Sequence, residues 1–256
     1  FLESMFALDG KTAIITGGTG VLGASMAQGL TMAGANVVIL GRRENVAQQV
    51  ASTLVSLGGK ALAVSADVLD EGQLKAALDR IKETFGSVDI LVNAAGGNMP
   101  KAVVKPDTEW ADMDINAYSE VIDLNLQGTV LPSKIFGAEM AKQRSGVIIN
   151  IASVASVLPL TQVAAYSQAK AAIKSFTQWL AVEMATKYGE GIRVNAIAPG
   201  FFLAEQNRKL LLNEDGSYTA RGNKAIVKTP FGRFGNPEEL KGTLIWLCSN
   251  ASQFVK

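Results

Sequence analysis

The chain has 256 residues, with 24 Lys or Arg against 23 Asp or Glu, so its net charge is +1. Hydrophobic residues make up 48% and charged residues 18%, which excludes a disordered chain and gives no electrostatic reason to expect nucleic acid or an anionic membrane as a partner. There is no histidine and one cysteine, Cys248, which excludes a Ser-His-Asp triad, a His-ligated metal, an intrachain disulfide and a thiolate zinc cluster.

In chain order, residues 12–15, 37–40, 61–64, 90–92, 147–151 and 193–197 are short runs that are apolar at nearly every position. That is the pattern of parallel strands covered on both faces. Amphipathic stretches near 22–34, 44–57, 71–85, 119–143, 166–188 and 237–249 alternate with them. Gly34, Gly58-Gly59, Gly86 and Gly189 follow such stretches, where helices end in a left-handed residue. The alternation predicts right-handed crossovers and a doubly wound, Rossmann-like parallel α/β sheet in three layers. No Pro-rich linker, low-complexity tract or repeat interrupts the chain, so one domain over 1–256 is expected.

Cys248 closes the apolar run Leu244-Ile245-Trp246-Leu247-Cys248, which predicts a buried structural thiol and fits a reducing compartment. No apolar stretch approaches the roughly 20 residues of a membrane helix, so a soluble cytoplasmic protein is expected. The chain opens on Phe1 rather than Met, which suggests a processed or incomplete start. Two segments, 94–118 and 199–236, are long and rich in Gly, Pro, Asn and Asp. Both leave the carboxyl edge of the sheet, where open α/β folds bind ligands, and both are read as substrate-facing, the second as a candidate lid.

The first predicted strand runs into Thr16-Gly17-Gly18-Thr19-Gly20-Val21-Leu22-Gly23 and then a helix. Such glycines let the backbone turn sharply and approach a pyrophosphate, which meets the free N–H groups of the helix start. The second strand ends Leu40-Gly41-Arg42-Arg43, with no acidic residue to hold a ribose 2′-hydroxyl. Arg42 suits a 2′-phosphate, which favours NADP; two solvated arginines would leave NAD open. Asp67-Val68 follows the third strand, placed for an adenine amino group or to cap the next helix.

Tyr166 and Lys170 stand four apart at the start of a long helical pattern, so phenol and ammonium share a face. A nearby cation favours phenolate and can pull the phenol below its usual value near 10, which makes it the best proton carrier in a chain without histidine. Alone, such a pair is ordinary helix surface. Its company matters: Ser153 ends the fifth strand, Asn93-Ala94-Ala95-Gly96 ends the fourth, and Asn125 interrupts a helical stretch where Asn is a poor fit.

Taken in order, Thr16 through Gly23, Asn93 through Gly96, Asn125, Ser153, Tyr166 with Lys170, and Pro199-Gly200 resemble the short-chain dehydrogenase/reductase family over essentially the whole chain. The resemblance implies that Tyr166 is the acid/base, that Lys170 lowers its pKa and binds the nicotinamide ribose, that Ser153 positions substrate, and that Asn125 completes a proton relay. It also implies that Pro199, Gly200 and Phe202 border the nicotinamide, and that the enzyme is a homotetramer or homodimer moving a hydride between nicotinamide and an alcohol or ketone carbon. Three departures stand out. The turn carries glycines at 17, 20 and 23 where the family has 17, 21 and 23; Ala204 replaces the usual hydroxyl residue; and the chain stops at Lys256, where the family continues into a last strand.

The stretches around Gly96-Gly97-Asn98-Met99-Pro100-Lys101, Pro199 to Arg208, and Thr229-Pro230-Phe231-Gly232-Arg233-Phe234-Gly235 resemble the D-mannonate oxidoreductase (fructuronate reductase) branch of that family. A sugar-acid substrate is therefore expected, with Asn98, Ser153, Tyr166, Asn207 and Arg208 contacting it. Lys101, Gln206 and Arg221 lie in the same loops, and Arg208 or another loop cation is read as gripping the carboxylate. The alternatives are the same chemistry on another polyol, keto acid or acyl ketone, or a dinucleotide-binding regulatory protein without turnover.

Overall fold

The computed structural model describes residues 1–203 and 205–255, without the side chains of Glu205 and Gln206. Its six strands are β1 (Thr12–Thr16), β2 (Asn36–Gly41), β3 (Lys60–Ser65), β4 (Ile90–Asn93), β5 (Gly146–Ile151) and β6 (Ile192–Ile197). All pair in parallel, in the order β3-β2-β1-β4-β5-β6. The order reverses between β1 and β4, so their carboxyl ends open the crevice where such sheets take ligands.

Ten helices are present among the described residues: α1 (Leu2–Phe6), α2 (Val21–Met32), α3 (Glu44–Ser56), α4 (Glu71–Phe85), α5 (Ile115–Ile122), α6 (Gly128–Gln143), α7 (Ala164–Tyr188), α8 (Glu205–Leu211), α9 (Ala220–Val227) and α10 (Lys241–Cys248). Alternate strand residues feed two cores. Ala13, Ile15, Val37 and Ile39 pack with α2, α3 and α10. Ile14, Val38 and Leu40 pack with α4, α6 and α7. All of β1 is buried, and each of its isoleucines contributes about 1.5–3 kcal/mol by leaving water.

Capping chemistry explains several boundaries. Asp70 starts α4, its carboxylate accepting from the Gln73 N–H at 2.9 Å, and Gly86 ends the helix in the left-handed region at φ 84°. The predicted stretch 119–143 is two helices, α5 and α6, joined by one wide π turn over Asp123–Gln127. Segment 199–236 is not bare loop: it carries α8 and α9, folded over a small satellite core of Leu211, Ala225 and Phe234. Helix α1 has no buried residue and only five residues, too short for its Leu2, Met5 and Phe6 to stand out as a helical stripe. Cys248 is buried, and burial pushes its thiol up to about 12, so it is an inert packing residue.

Candidate active site

At the end of β1, Thr16 Oγ1 accepts from the Ala94 and Ala95 N–H groups, both at 3.2 Å, which ties the first turn to the end of β4. Gly17 turns the chain at φ 66°, and a Cβ there would lie 2.7 Å from the Ala95 backbone. A Cβ on Gly23 would lie 2.4 Å from the Gly17 carbonyl oxygen. These two glycines are demanded by packing inside the turn. Gly20 is different: its backbone is extended, and an added Cβ would meet only the Gly17 oxygen, at 3.4 Å. It caps α2 without any side-chain hydrogen bond, so the N–H groups of Val21, Leu22 and Gly23 open outward beside a bare backbone. That cradle fits a pyrophosphate with its middle glycine at 20. Thr19 closes the turn against Gly41.

Arg42 follows β2 as an exposed side chain, with its guanidinium 3.9 Å from an Asp67 carboxylate oxygen. The other Asp67 oxygen accepts from the Leu69 N–H at 3.0 Å. Helix α4 is capped by Asp70, so Asp67 holds its own turn and leaves its face toward Arg42. Val68 is buried and packs against Gly128. Asn93 is buried beneath the site; its Nδ2 donates to Ser133 Oγ and Asn150 Oδ1, both at 2.9 Å, welding β4 to β5 and α6.

The four catalytic candidates converge at the carboxyl ends of β4 and β5. Lys170 is 5% exposed; its Nζ donates to the Ile151 carbonyl at 2.8 Å and lies 5.5 Å from the centre of the Tyr166 ring. Asn125 is fully buried in the π turn. Its Nδ2 donates to the carbonyls of Gly97 at 2.7 Å and Val121 at 2.8 Å, and its Oδ1 accepts from the Gly97 N–H at 3.1 Å. The wide turn re-aims this side chain out of its helix, a recurring use of π turns at functional sites. A Cβ on Gly96 would lie 2.5 Å from Asn125 Oδ1 and 3.4 Å from Lys170 Nζ, so glycine there keeps both polar groups accessible. Ser153 Oγ accepts from the Ala155 N–H at 3.1 Å and lies near enough to Tyr166 to favour its phenolate.

The electrostatics correct one expectation. Tyr166 is shifted upward, not downward: burial disfavours phenolate, and the opposing Ser153 hydrogen bond only partly offsets this. The ammonium stands over the ring, 5.5 Å from its centre, and bonds a carbonyl, so burial dominates the phenol here. Burial lowers Lys170 to about 8. The phenol is thus a held proton, suited to donation.

The substrate-side residues are more dispersed. Asn98, Lys101 and Arg208 are exposed. Asn207 Nδ2 donates to the Phe202 carbonyl at 2.9 Å, bracing the start of α8. The buried Pro199 takes the Val154 N–H on its carbonyl at 3.0 Å, while Gly200 is open to solvent and Phe202 packs over Gly235. The Ala204 departure, the Gln206 side chain and Lys256 lie outside the described residues. Two contacts carry no signal in the sequence. The Tyr118 hydroxyl of α5 donates to Gln168 on α7, and Arg221 Nη1 of α9 donates to Gln162 Oε1 at 3.2 Å.

A family model for the short chain dehydrogenases matches residues 11–215. The chain belongs to that family. As a family member with the four side chains assembled, it is an oxidoreductase of the type that acts on CH–OH groups. It is 47% identical over 257 residues to an uncharacterized oxidoreductase, UxuB, of Bacillus subtilis, covering 97% of this chain and 91% of that one. A solved structure from Haemophilus influenza, described as a candidate D-mannonate oxidoreductase with bound NAD, is 40% identical with a TM-score of 0.91, over 100% of this chain and 94% of that one. A gluconate 5-dehydrogenase from Burkholderia cenocepacia, solved with NADP and tartrate, is 32% identical with a TM-score of 0.87, over 100% and 94% of the two chains.

Proposed function

We propose that the protein is an NAD(P)-dependent oxidoreductase of a sugar acid, interconverting D-fructuronate and D-mannonate. The observation that carries this reading is the cluster of Asn125, Ser153, Tyr166 and Lys170 at the switch point, joined to loops that present cations and amides. The Haemophilus and Burkholderia neighbours support it, one named for mannonate and the other for gluconate. A bound nicotinamide dinucleotide supplies a hydride to the ketone carbon, or accepts it in the reverse direction. The turn from Thr16 to Gly23, with Arg42, Asp67, Val68 and Ala94 through Gly96, would hold it; Pro199, Gly200 and Phe202 would border its reactive end.

The remaining steps belong to this chain's side chains. Ser153 orients the carbonyl oxygen against the Tyr166 hydroxyl, and Tyr166 gives its proton to that oxygen as negative charge develops there. Lys170 stabilises the phenolate left behind. Asn125 keeps a polar path open past Gly96 and Gly97 for the proton's replacement. Following absorbance at 340 nm with NADH and NADPH in parallel against uronates, neutral ketoses, keto acids and acyl ketones tests the reading. Preference for an acyl ketone or a neutral ketose would overturn it.

Two variants test the dinucleotide site. Gly20→Ala keeps the fold, because its Cβ makes only ordinary contact, yet weakens dinucleotide binding at least about tenfold; Gly23→Ala instead destabilises the protein by about 1–3 kcal/mol through the clash with Gly17. Fluorescence titration with NADPH and thermal melting separate the two outcomes. Arg42→Leu raises the Kd for NADPH about tenfold or more and leaves that for NADH within about twofold; equal effects would remove the preference for the 2′-phosphate. A homotetramer or homodimer and a cytoplasmic location complete the proposal. Exposed Trp179 and Val182 on α7 support the first, and the single buried Cys248, with no second cysteine to pair with, the second.

A further inference from the structure

Gln162 stands at φ 72° two residues before α7, a left-handed conformation that a glutamine rarely adopts. It is one of two non-glycine residues with positive φ in the described chain; the other, Arg144, ends α6 and donates to the Lys187 carbonyl at 3.2 Å, away from both substrate-facing segments. What holds Gln162 there are two long-range contacts. Its carbonyl accepts from the Val104 N–H at 3.0 Å, in the first substrate-facing segment. Its side-chain oxygen accepts from Arg221 Nη1 at 3.2 Å, on α9 of the second. The strained residue therefore binds both segments together four residues before Tyr166, where unusual backbone is most often tied to function.

The electrical consequence lies in what Arg221 does not touch. Arg233 is neutralised by a two-pronged pairing with Glu239 at 2.6 and 2.8 Å, and Arg42 faces Asp67. Arg193 is buried in β6 and donates to the Ser249 carbonyl. Arg221 is exposed and makes no ion pair with any carboxylate among the described residues; a neutral carboxamide fixes it. A guanidinium held by an amide keeps its whole charge and most of its donors for an anion. Arg208 is exposed on α8, and no comparable contact orients it among the described residues.

We infer that Arg221, oriented by Gln162, is the residue that selects a carboxylate-bearing substrate, and that Gln162 is its positioning residue. The inference rests on the sugar-acid reading and sharpens it, assigning the carboxylate to α9 rather than α8. Arg221 binds through its remaining N–H groups, and the Gln162 backbone fixes how far that anchor stands from Tyr166.

The test is a specificity ratio, kcat/KM for D-fructuronate over kcat/KM for D-fructose, its uncharged counterpart, measured with the intact enzyme and saturating dinucleotide. In Arg221→Gln this ratio falls at least about tenfold, chiefly through KM for the uronate, and Arg221→Lys restores part of it. Gln162→Gly relieves the backbone strain, so it folds at least as well as the parent, yet it lowers the same ratio at least about threefold because the anchor loses its tether. Arg208→Gln lowers the ratio by less than about twofold. A parent enzyme that does not use uronates overturns the sugar-acid reading and the anchor with it. A parent that uses them, with an unchanged ratio in Arg221→Gln or both substrates impaired alike, overturns the anchor alone.

Discussion

Tyr166→Phe lowers kcat for ketone reduction by about 10³-fold and leaves the Kd for dinucleotide within about twofold. The substitution deletes one oxygen from a site where that oxygen is the proton donor. Among the other groups in the cluster, the Ser153 hydroxyl is too weak an acid to replace it, and the Lys170 ammonium is committed to the Ile151 carbonyl. Because burial raises the Tyr166 phenol above its ordinary value near 10, the donor stays protonated throughout the neutral range. Reduction therefore does not fall for lack of phenol protons until the pH passes that raised value, whereas oxidation, which needs phenolate, rises with pH over the same span. Steady-state rates in both directions from pH 6 to 10 check the sign. A parental rate in Tyr166→Phe would remove Tyr166 from the mechanism.

Lys170→Met loses about 10²–10³-fold in kcat and at the same time stabilises the protein near neutral pH. Lys170 is a buried cation with one carbonyl partner and no carboxylate among the described residues, and its pKa falls from 10.5 to about 8. That depression corresponds to roughly 3 kcal/mol of destabilisation while both folded and unfolded chains are protonated. The folded protein releases its proton first as pH rises, so parental stability climbs between about pH 8 and 10.5. The methionine variant lacks this penalty but leaves the Ile151 carbonyl unpaired. Its melting temperature should exceed the parent's by roughly 2–6 °C at pH 7, with the gap closing above about pH 10. Melting curves at pH 7, 9 and 10.5 decide this; a variant less stable than the parent at pH 7 would show that the ammonium is a net structural support. In the parent, kcat/KM for the dinucleotide declines above about pH 8, as the ammonium that would meet its ribose becomes neutral.

The parallel sheet was legible because burial on both faces leaves an uninterrupted apolar run, a signal that depends only on local composition. The phosphate turn was legible because glycine is needed wherever backbone packs against backbone, as at Gly17 and Gly23. Helices α8 and α9 were not, since they are short and share one small core around Leu211, Ala225 and Phe234 instead of packing on the sheet. The π turn at Asn125 was hidden for a related reason: one residue of extra width leaves the hydrophobic period of α5 and α6 almost intact.

Tyr166 and Lys170 are written in the chain, because their spacing on α7 is local and their chemistry has few substitutes once histidine is absent. Their ionisation was decided by the folded surroundings. Sequence spacing puts an ammonium near a phenol, but only the enclosing core determines that desolvation outweighs that attraction, raising Tyr166 and lowering Lys170. The same holds for Gln162 and Arg221, which are 59 residues apart and acquire meaning only through a contact that closes across two loops. Short-range patterns dictate which elements form; long-range packing sets the dielectric, the reach and the charge of the groups those elements carry.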